Sequence, residues 1–253
     1  ILDYIASHYR QKIVSSVSLT LDPNSLDPRL NVVLPNFYKD FAFGGITSAM
    51  ELAWAISVHY RRLRFVSQAP LGVPEEMFRF QGYAANPDST VEAVSLQTGP
   101  LACHANDIFL CTHHSTVKTW EAHAQAMRAL NRQPSQFYYF IQDYEPAFHP
   151  YGYHHAEAQA SYAHPEFTRA VFNSRELADF FHTQKIAFAA EHVLLPSLHP
   201  AILAYLAGNR FRIRPKDPNH TVILCYGRPG SPRNCFETLL EGLHLHFNTT
   251  PDA

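Results

Sequence analysis

The chain has 253 residues and a formal net charge of −2, from 20 Lys plus Arg against 22 Asp plus Glu. That length suits one large α/β domain, or one domain and part of another, and is too short for two complete ones. The balanced charge gives no basic surplus for nucleic acid or anionic lipid, and no apolar run approaches the roughly 20 residues of a bilayer-crossing helix.

Residues 1–28 read as a lead-in, a short amphipathic segment followed by the Pro-containing connector from Leu21 to Pro28. There is no initiator Met and no signal-peptide pattern, so Ile1 reads as the edge of a fragment and targeting stays open. A regular alternation then begins with a strand from Leu30 to Leu34, a loop carrying Gly44-Gly45 and a helix from Ile46. In that helix Ile46, Met50, Ala53, Trp54 and Val58 recur at helical spacing and define one buried face. Further strands are expected at Leu63 to Val66, Val91 to Leu96 and Ile108 to Cys111, the last running out into Thr112, His113 and His114. A helix around Val117 to Leu130 leads to a strand from Phe137 to Ile141. Ala170 to Phe172 reads as another strand, with Asn173 as the cap of the next helix and Glu176 placed to answer it.

The expected fold class is therefore α/β, a Rossmann-like parallel sheet with helices on both faces over residues 29–205. The basic, Pro-bearing stretch within residues 206–220 reads as a linker. Residues 221–253 restart the pattern with a strand from Thr221 to Tyr226, the turn Gly227 to Arg233 and a helix opening at Asn234. One βα unit cannot bury its own apolar face, so this reads as the start of a truncated second Rossmann-like domain.

The four cysteines, Cys103, Cys111, Cys225 and Cys235, form no C-x-x-C pair and read as reduced core residues of a cytosolic protein. The sixteen histidines include the adjacent pairs His113–His114 and His154–His155, without a metal-binding spacing such as H-E-x-x-H. Neighbouring imidazoles are expected to point apart, as structural or solvent-facing groups and not as metal ligands.

Three turns carry the chemistry. The strand from Phe137 stops abruptly in Gln142, Asp143, Tyr144 and Glu145, which emerge at its carboxyl end, where open α/β sheets bind ligands. Pro146 and Pro150 make the segment that follows a loop. Gly44-Gly45 would let a phosphate approach a helix N-terminus, although G-x-G-x-x-G and Walker loops are both absent. Arg228 and Arg233 flank a third turn in an arrangement suited to a diphosphate.

Three passages, Phe43-Gly-Gly-Ile, Phe140-Ile-Gln-Asp-Tyr-Glu-Pro-Ala-Phe148 with its Pro-Tyr-Gly continuation, and Ile223 to Phe236, give the chain a likeness over residues 30–247. It resembles the retaining glycosyltransferases of the GT-B fold, in particular the WsaF-like rhamnosyltransferases that build rhamnose polymers on bacterial surfaces. The resemblance implies a first domain that holds the acceptor and a second that holds the nucleotide sugar. It places the donor diphosphate at Gly44, Gly45, Arg228 and Arg233, although Arg233 stands near where many relatives carry Lys. Catalytic carboxylates are then sought at Asp143 and Glu145, and acceptor contacts at Thr112, His113, His114, Gln142 and Tyr144. It implies a nucleotide-sugar donor such as dTDP-rhamnose and no further cofactor. It also implies a saccharide or lipid-linked saccharide acceptor and a cytoplasmic protein, free or peripheral to the inner membrane.

The relatives' later E-x7-E segment is missing from these residues, so the fragment as given is expected not to turn over. Two other classes remain open from sequence: a non-catalytic sugar-binding or scaffold domain using the same cleft, and a metal-dependent hydrolase using the histidine pairs.

Overall fold

Seven short strands assemble into one sheet in which every strand pairs parallel to its neighbours. The structure, a computed structural model, describes residues 17–25, 27–36, 44–71, 90–195, 200–208, 223 and 235–249. In chain order the elements are β1 (Leu19–Asp22), β2 (Arg29–Leu34), α1 (Gly44–Ser57), β3 (Arg62–Ser67), β4 (Thr90–Ser95), β5 (Leu101–His104), β6 (Ile108–Cys111) and α2 (His114–Ala129). They continue with β7 (Phe137–Ile141), a 3-10 turn (Glu145–Phe148), α3 (Tyr153–Ala160), β8 (Thr168–Phe172), α4 (Arg175–Thr183), β9 (Ala190–Val193), α5 (Pro200–Gly208) and α6 (Phe236–Thr249).

The main sheet runs β4-β3-β2-β6-β7-β8-β9, and its helices cover both faces in a Rossmann-like arrangement. Alternation along the strands sorts the core into two layers. Phe137, Tyr139 and Ile141 join Phe109, Phe172 and the α2 residues Val117, Trp120 and Ala124 on one face. Phe140 points the other way, to Leu30, Val32, Phe65 and the α1 residues Met50, Ala53 and Trp54. Trp120 stacks on Phe137 at 4.3 Å between ring centroids, and its indole N–H donates to the Ser135 carbonyl at 3.0 Å.

Several local expectations change in three dimensions. The lead-in contributes β1, which pairs in parallel with β5 as a separate two-stranded sheet, and its Leu19 and Leu21 pack on the core. Val58 is exposed because α1 has ended at Ser57, whose hydroxyl donates to the Trp54 carbonyl. The cap of α4 is Ser174, which accepts from Leu177 N at 3.1 Å, while Asn173 donates its amide to the Gln142 carbonyl at 2.9 Å. After Gln142 the chain forms a 3-10 turn rather than an irregular loop, with Pro146 in the first turn, where its missing N–H removes no helical bond. Cys103 and Cys111 are buried, and burial pushes the Cys103 thiol up to about 11 and that of Cys111 higher still. Cys235 is exposed, contrary to the expectation that it is a core residue.

The chain divides into two compact units, Ile1–His199 and Pro200–Ala253. In the second, α5 runs through Gly208, into the stretch read as linker, and α6 exposes Leu240, Leu245 and Phe247. The strand expected from Thr221 to Tyr226 lies outside the described residues apart from Ile223.

The amino edge of the sheet is tied by charge. Asp107, fully buried, accepts from Arg29 Nε at 3.1 Å and Nη2 at 2.8 Å, a bidentate pair. Arg64 donates to Asn31 Oδ1 at 2.7 Å, and both arginines donate to the Ala102 carbonyl. Truncating one partner of such a pair strands the other's charge away from water, so Asp107→Ala should lose roughly 3–5 kcal/mol of stability. Urea unfolding of the variant beside the parent protein measures it.

Candidate active site at the sheet switch point

From β2 the chain moves outward through β3 to β4, then returns to β6 beside β2 and moves outward again through β7, β8 and β9. The carboxyl ends of β2 and β6 therefore border the crevice where strand order reverses, the place in an open α/β sheet where ligands bind. Three connections meet there. A Cβ added at Gly45, in the first turn of α1, would collide with Gln142 Oε1, so only glycine lets the Gln142 side chain lie against that turn. Gln142 in turn donates from Nε2 to the Thr112 carbonyl at 3.3 Å. Gly44 opens α1 beside Gly45, and Asp143 is exposed just beyond Gln142.

Gly45→Ala should leave thermal stability unchanged or slightly raised, because only the flexible end of Gln142 must move and Ala outranks Gly in a helix by about 1 kcal/mol. The Gln142 side-chain amide resonance should shift as its contact with Thr112 is lost.

The start of α2 is built from the other polar residues after β6. His113 has extended backbone (φ −159°, ψ 155°) and acts as the N-cap, its Nδ1 accepting from Ser115 N at 3.3 Å. Thr116 Oγ1 accepts from His113 N at 3.1 Å, which completes a reciprocal capping arrangement. Glu145, buried at the head of the 3-10 turn, accepts at Oε2 from both the backbone N and the Nδ1 of His114, each at 2.6 Å. A carboxylate beside the first N–H groups of a helix is also favoured by the helix dipole. Because a carboxylate can only accept, His114 carries its proton on Nδ1. No partner takes its Nε2 among the described residues.

The adjacent histidines do not point apart. His113 is extended and His114 helical, so the usual helical rotation between neighbours is absent, and the two rings lie 4.0 Å apart between centroids. His149 meets His114 edge-on at 5.7 Å, and His154 lies 5.7 Å from His149. Nitrogen and oxygen atoms of His113, His114 and Glu145 fall within 4.8 Å of one another, close enough to surround a metal ion. The Nδ1–H bond between His114 and Glu145 occupies that donor set, and a metal would have to displace it.

Burial lowers the His113 pKa from its ordinary 6.5, although the nearby Glu145 charge opposes the shift, and His149 is lowered by burial and by its imidazole neighbours. With the folded pKa of His113 below the unfolded one, the unfolded chain takes up a proton first as pH falls. The stabilisation is thus fully present above pH 6.5 and is lost as pH drops from there through the folded value. His113→Asn keeps a capping side chain, so urea unfolding across this range should show a shallower loss of stability with acid than the parent.

Not every expected site residue faces the crevice. Tyr144 turns inward, donating its hydroxyl to Gln159 Oε1 at 2.7 Å with its ring against Tyr162, Phe180 and Phe181. The Thr112 hydroxyl donates to the Val33 carbonyl at 2.8 Å, so it ties β6 to β2. Glu145 reaches the site through His114, as described. Arg228 and Arg233 lie outside the described residues. Sequence reading missed Gln68, which follows β3 and exchanges hydrogen bonds with Ser115 at 2.6 and 2.8 Å. Like Gln142, it is an amide directly after a strand.

A Rossmann-like domain with amide, carboxylate and imidazole groups gathered at its switch point has the architecture of an α/β ligand-binding domain. The chain belongs to the WsaF family: the family described as WsaF, N-terminal domain, matches residues 29–175, more than half of the sequence, and this is a glycosyltransferase family. No curated protein matches the chain. No helix among the described residues is long and apolar enough to cross a membrane.

Proposed function

We propose that the parallel-sheet domain beginning at residue 29 is the acceptor-side domain of a GT-B glycosyltransferase. In this reading the enzyme moves a deoxyhexose, rhamnose from a dTDP donor, onto a growing surface polysaccharide. The observation that carries the proposal is the meeting of Gly45, Gln142, Thr112, His114 and Glu145 from separate connections at the switch point of a WsaF-family domain.

Transfer from a nucleotide diphosphate breaks the bond from the anomeric carbon to the phosphate oxygen and forms one to an acceptor oxygen. Positive charge develops on the sugar and negative charge on the leaving phosphate. In the proposed enzyme Arg228 and Arg233 stabilise the diphosphate, and the first turn of α1, with Gly44 and Gly45, gives it close approach to backbone N–H groups. Of the two candidate carboxylates, Glu145 is buried against His114 and holds it in place, and Asp143, exposed at the end of β7, orients the acceptor hydroxyl or offsets the cationic sugar. His113 and His114 supply imidazole contacts to acceptor hydroxyls.

The test is transfer by a protein carrying these residues together with a complete donor-binding domain, assayed with dTDP-rhamnose and a saccharide acceptor. Arg228→Ala should weaken donor affinity about 10- to 100-fold, as expected for a charge-assisted contact. Asp143→Asn should leave donor affinity intact while turnover falls. Absence of transfer, with sugar binding retained, would instead identify a non-catalytic binding domain.

A further inference from the structure

Beside the switch point, α2 and α3 enclose a cavity of about 220 Å³ lined by His114, Lys118, Glu121, Tyr153, Glu157 and Ser161. We propose that this groove is a subsite for a neutral saccharide unit, the part of the acceptor chain that extends away from the reacting sugar. The identity of the sugar as acceptor rests on the function proposed above; the binding of a saccharide does not.

Four observations lead to this assignment. The first is charge. Lys118 is paired with Glu157, which also receives the Nδ1 of His154 at 3.4 Å, and Glu121 accepts from His164 Nε2 at 2.8 Å. Burial raises the Glu157 pKa, but the hydrogen bond and charge of Lys118, with the His154 bond, together outweigh it and hold the carboxyl below its ordinary value. Both acids are thus hydrogen-bonded within the protein, and only the Lys118–Glu157 pair brings a full cation to the groove. Two carboxylates in the lining also disfavour a phosphate, so the nucleotide diphosphate does not belong here. What the groove does offer is a dense set of donors and acceptors, as a polyhydroxylated ring requires.

The second observation is an unspent hydrogen-bonding atom. His114 is only 8% exposed and lines the groove, its Nδ1–H held by Glu145, while Nε2 has no partner among the described residues. A sugar hydroxyl donating to Nε2 would use this remaining ring nitrogen. The third is an aromatic rim. Tyr153 lines the cavity yet is 60% exposed, with its hydroxyl 3.4 Å from Glu157. An exposed ring beside a polar groove suits a pyranose, whose C–H face packs on the ring while its hydroxyls reach the groove. The fourth is size: the cavity is smaller than the roughly 300–1,000 Å³ pockets that take drug-sized ligands, which suits a single ring. Through His114 the groove is continuous with the acceptor edge, so a chain seated here would lead toward Asp143.

The experiment is binding of an L-rhamnose disaccharide to the full chain, followed by side-chain NMR at millimolar sugar, with an equivalent disaccharide containing a uronic acid as the anionic control. The neutral sugar should perturb the Tyr153 and His114 ring resonances, and the anionic one should bind more weakly. Tyr153 is exposed at the start of α3, so Tyr153→Ala should fold normally and lose binding by about tenfold, while Tyr153→Phe keeps the stacking face and should retain most of it. Absence of binding, equal binding by Tyr153→Ala, or perturbations confined to residues away from the groove would overturn the subsite. If a complete enzyme transfers sugar and Tyr153→Ala leaves its acceptor KM unchanged, the subsite is wrong and the transferase stands. If the groove binds sugar and no transfer occurs, the reverse holds.

Discussion

The site is organised by the carboxylate of Glu145, which meets His114 twice, at its backbone nitrogen and at its ring. A carboxyl group so far from water requires hydrogen-bond partners, and here one residue at the start of α2 supplies both donors. The consequences spread outward from that contact. The 3-10 turn after β7 is anchored to α2, the tautomer of His114 is set, and the ring of His114 is held against those of His113 and His149. The first N–H of α2 is satisfied by a carboxylate rather than left to solvent. The crevice is thus walled by side chains whose positions are set before any ligand arrives, which is what an electrostatic site requires.

The two ends of the sheet have opposite characters. At the amino edge, Arg29, Arg64 and Asp107 form a buried network that joins β2, β3, β5 and the entry to β6. Its groups are spent on one another and on backbone carbonyls. At the carboxyl edge the polar groups hold one another by their backs and leave an atom or a charge outward. Gln142 leans on Gly45, Glu145 holds His114, and Asp143 stands exposed between them. Both edges come from the same parallel strands, so stability and recognition are separated by strand polarity.

The groove between α2 and α3 extends the carboxyl edge sideways. Its hydrogen-bonded acids, aromatic rim and imidazole suit a hydroxylated neutral ligand.

Much of this was legible in the order of the residues. The parallel sheet followed from strand-length apolar runs alternating with helical periodicity, and Gln142 to Glu145 stood out because polar residues abruptly end a continuous apolar strand. Both are local patterns, readable within a few residues. What the sequence could not contain was direction over long separations. Tyr144 and Glu145 are neighbours in one motif, yet the first ring turns into an aromatic cluster and the second carboxylate crosses to a helix 31 residues earlier. The His113–His114 pair looked divergent because adjacent side chains diverge within a regular helix, and it converges because His113 is a cap with extended backbone. The two-stranded sheet of β1 and β5, whose strands lie some eighty residues apart, and the partnership of Arg29 with Asp107 depend on chain crossings that no local period encodes. Residue type and periodicity determined which elements form and where polar groups emerge from them. Only the packing of distant segments decided which of those groups face the crevice, because hydrogen bonds and burial act between atoms close in space, whatever their separation along the chain.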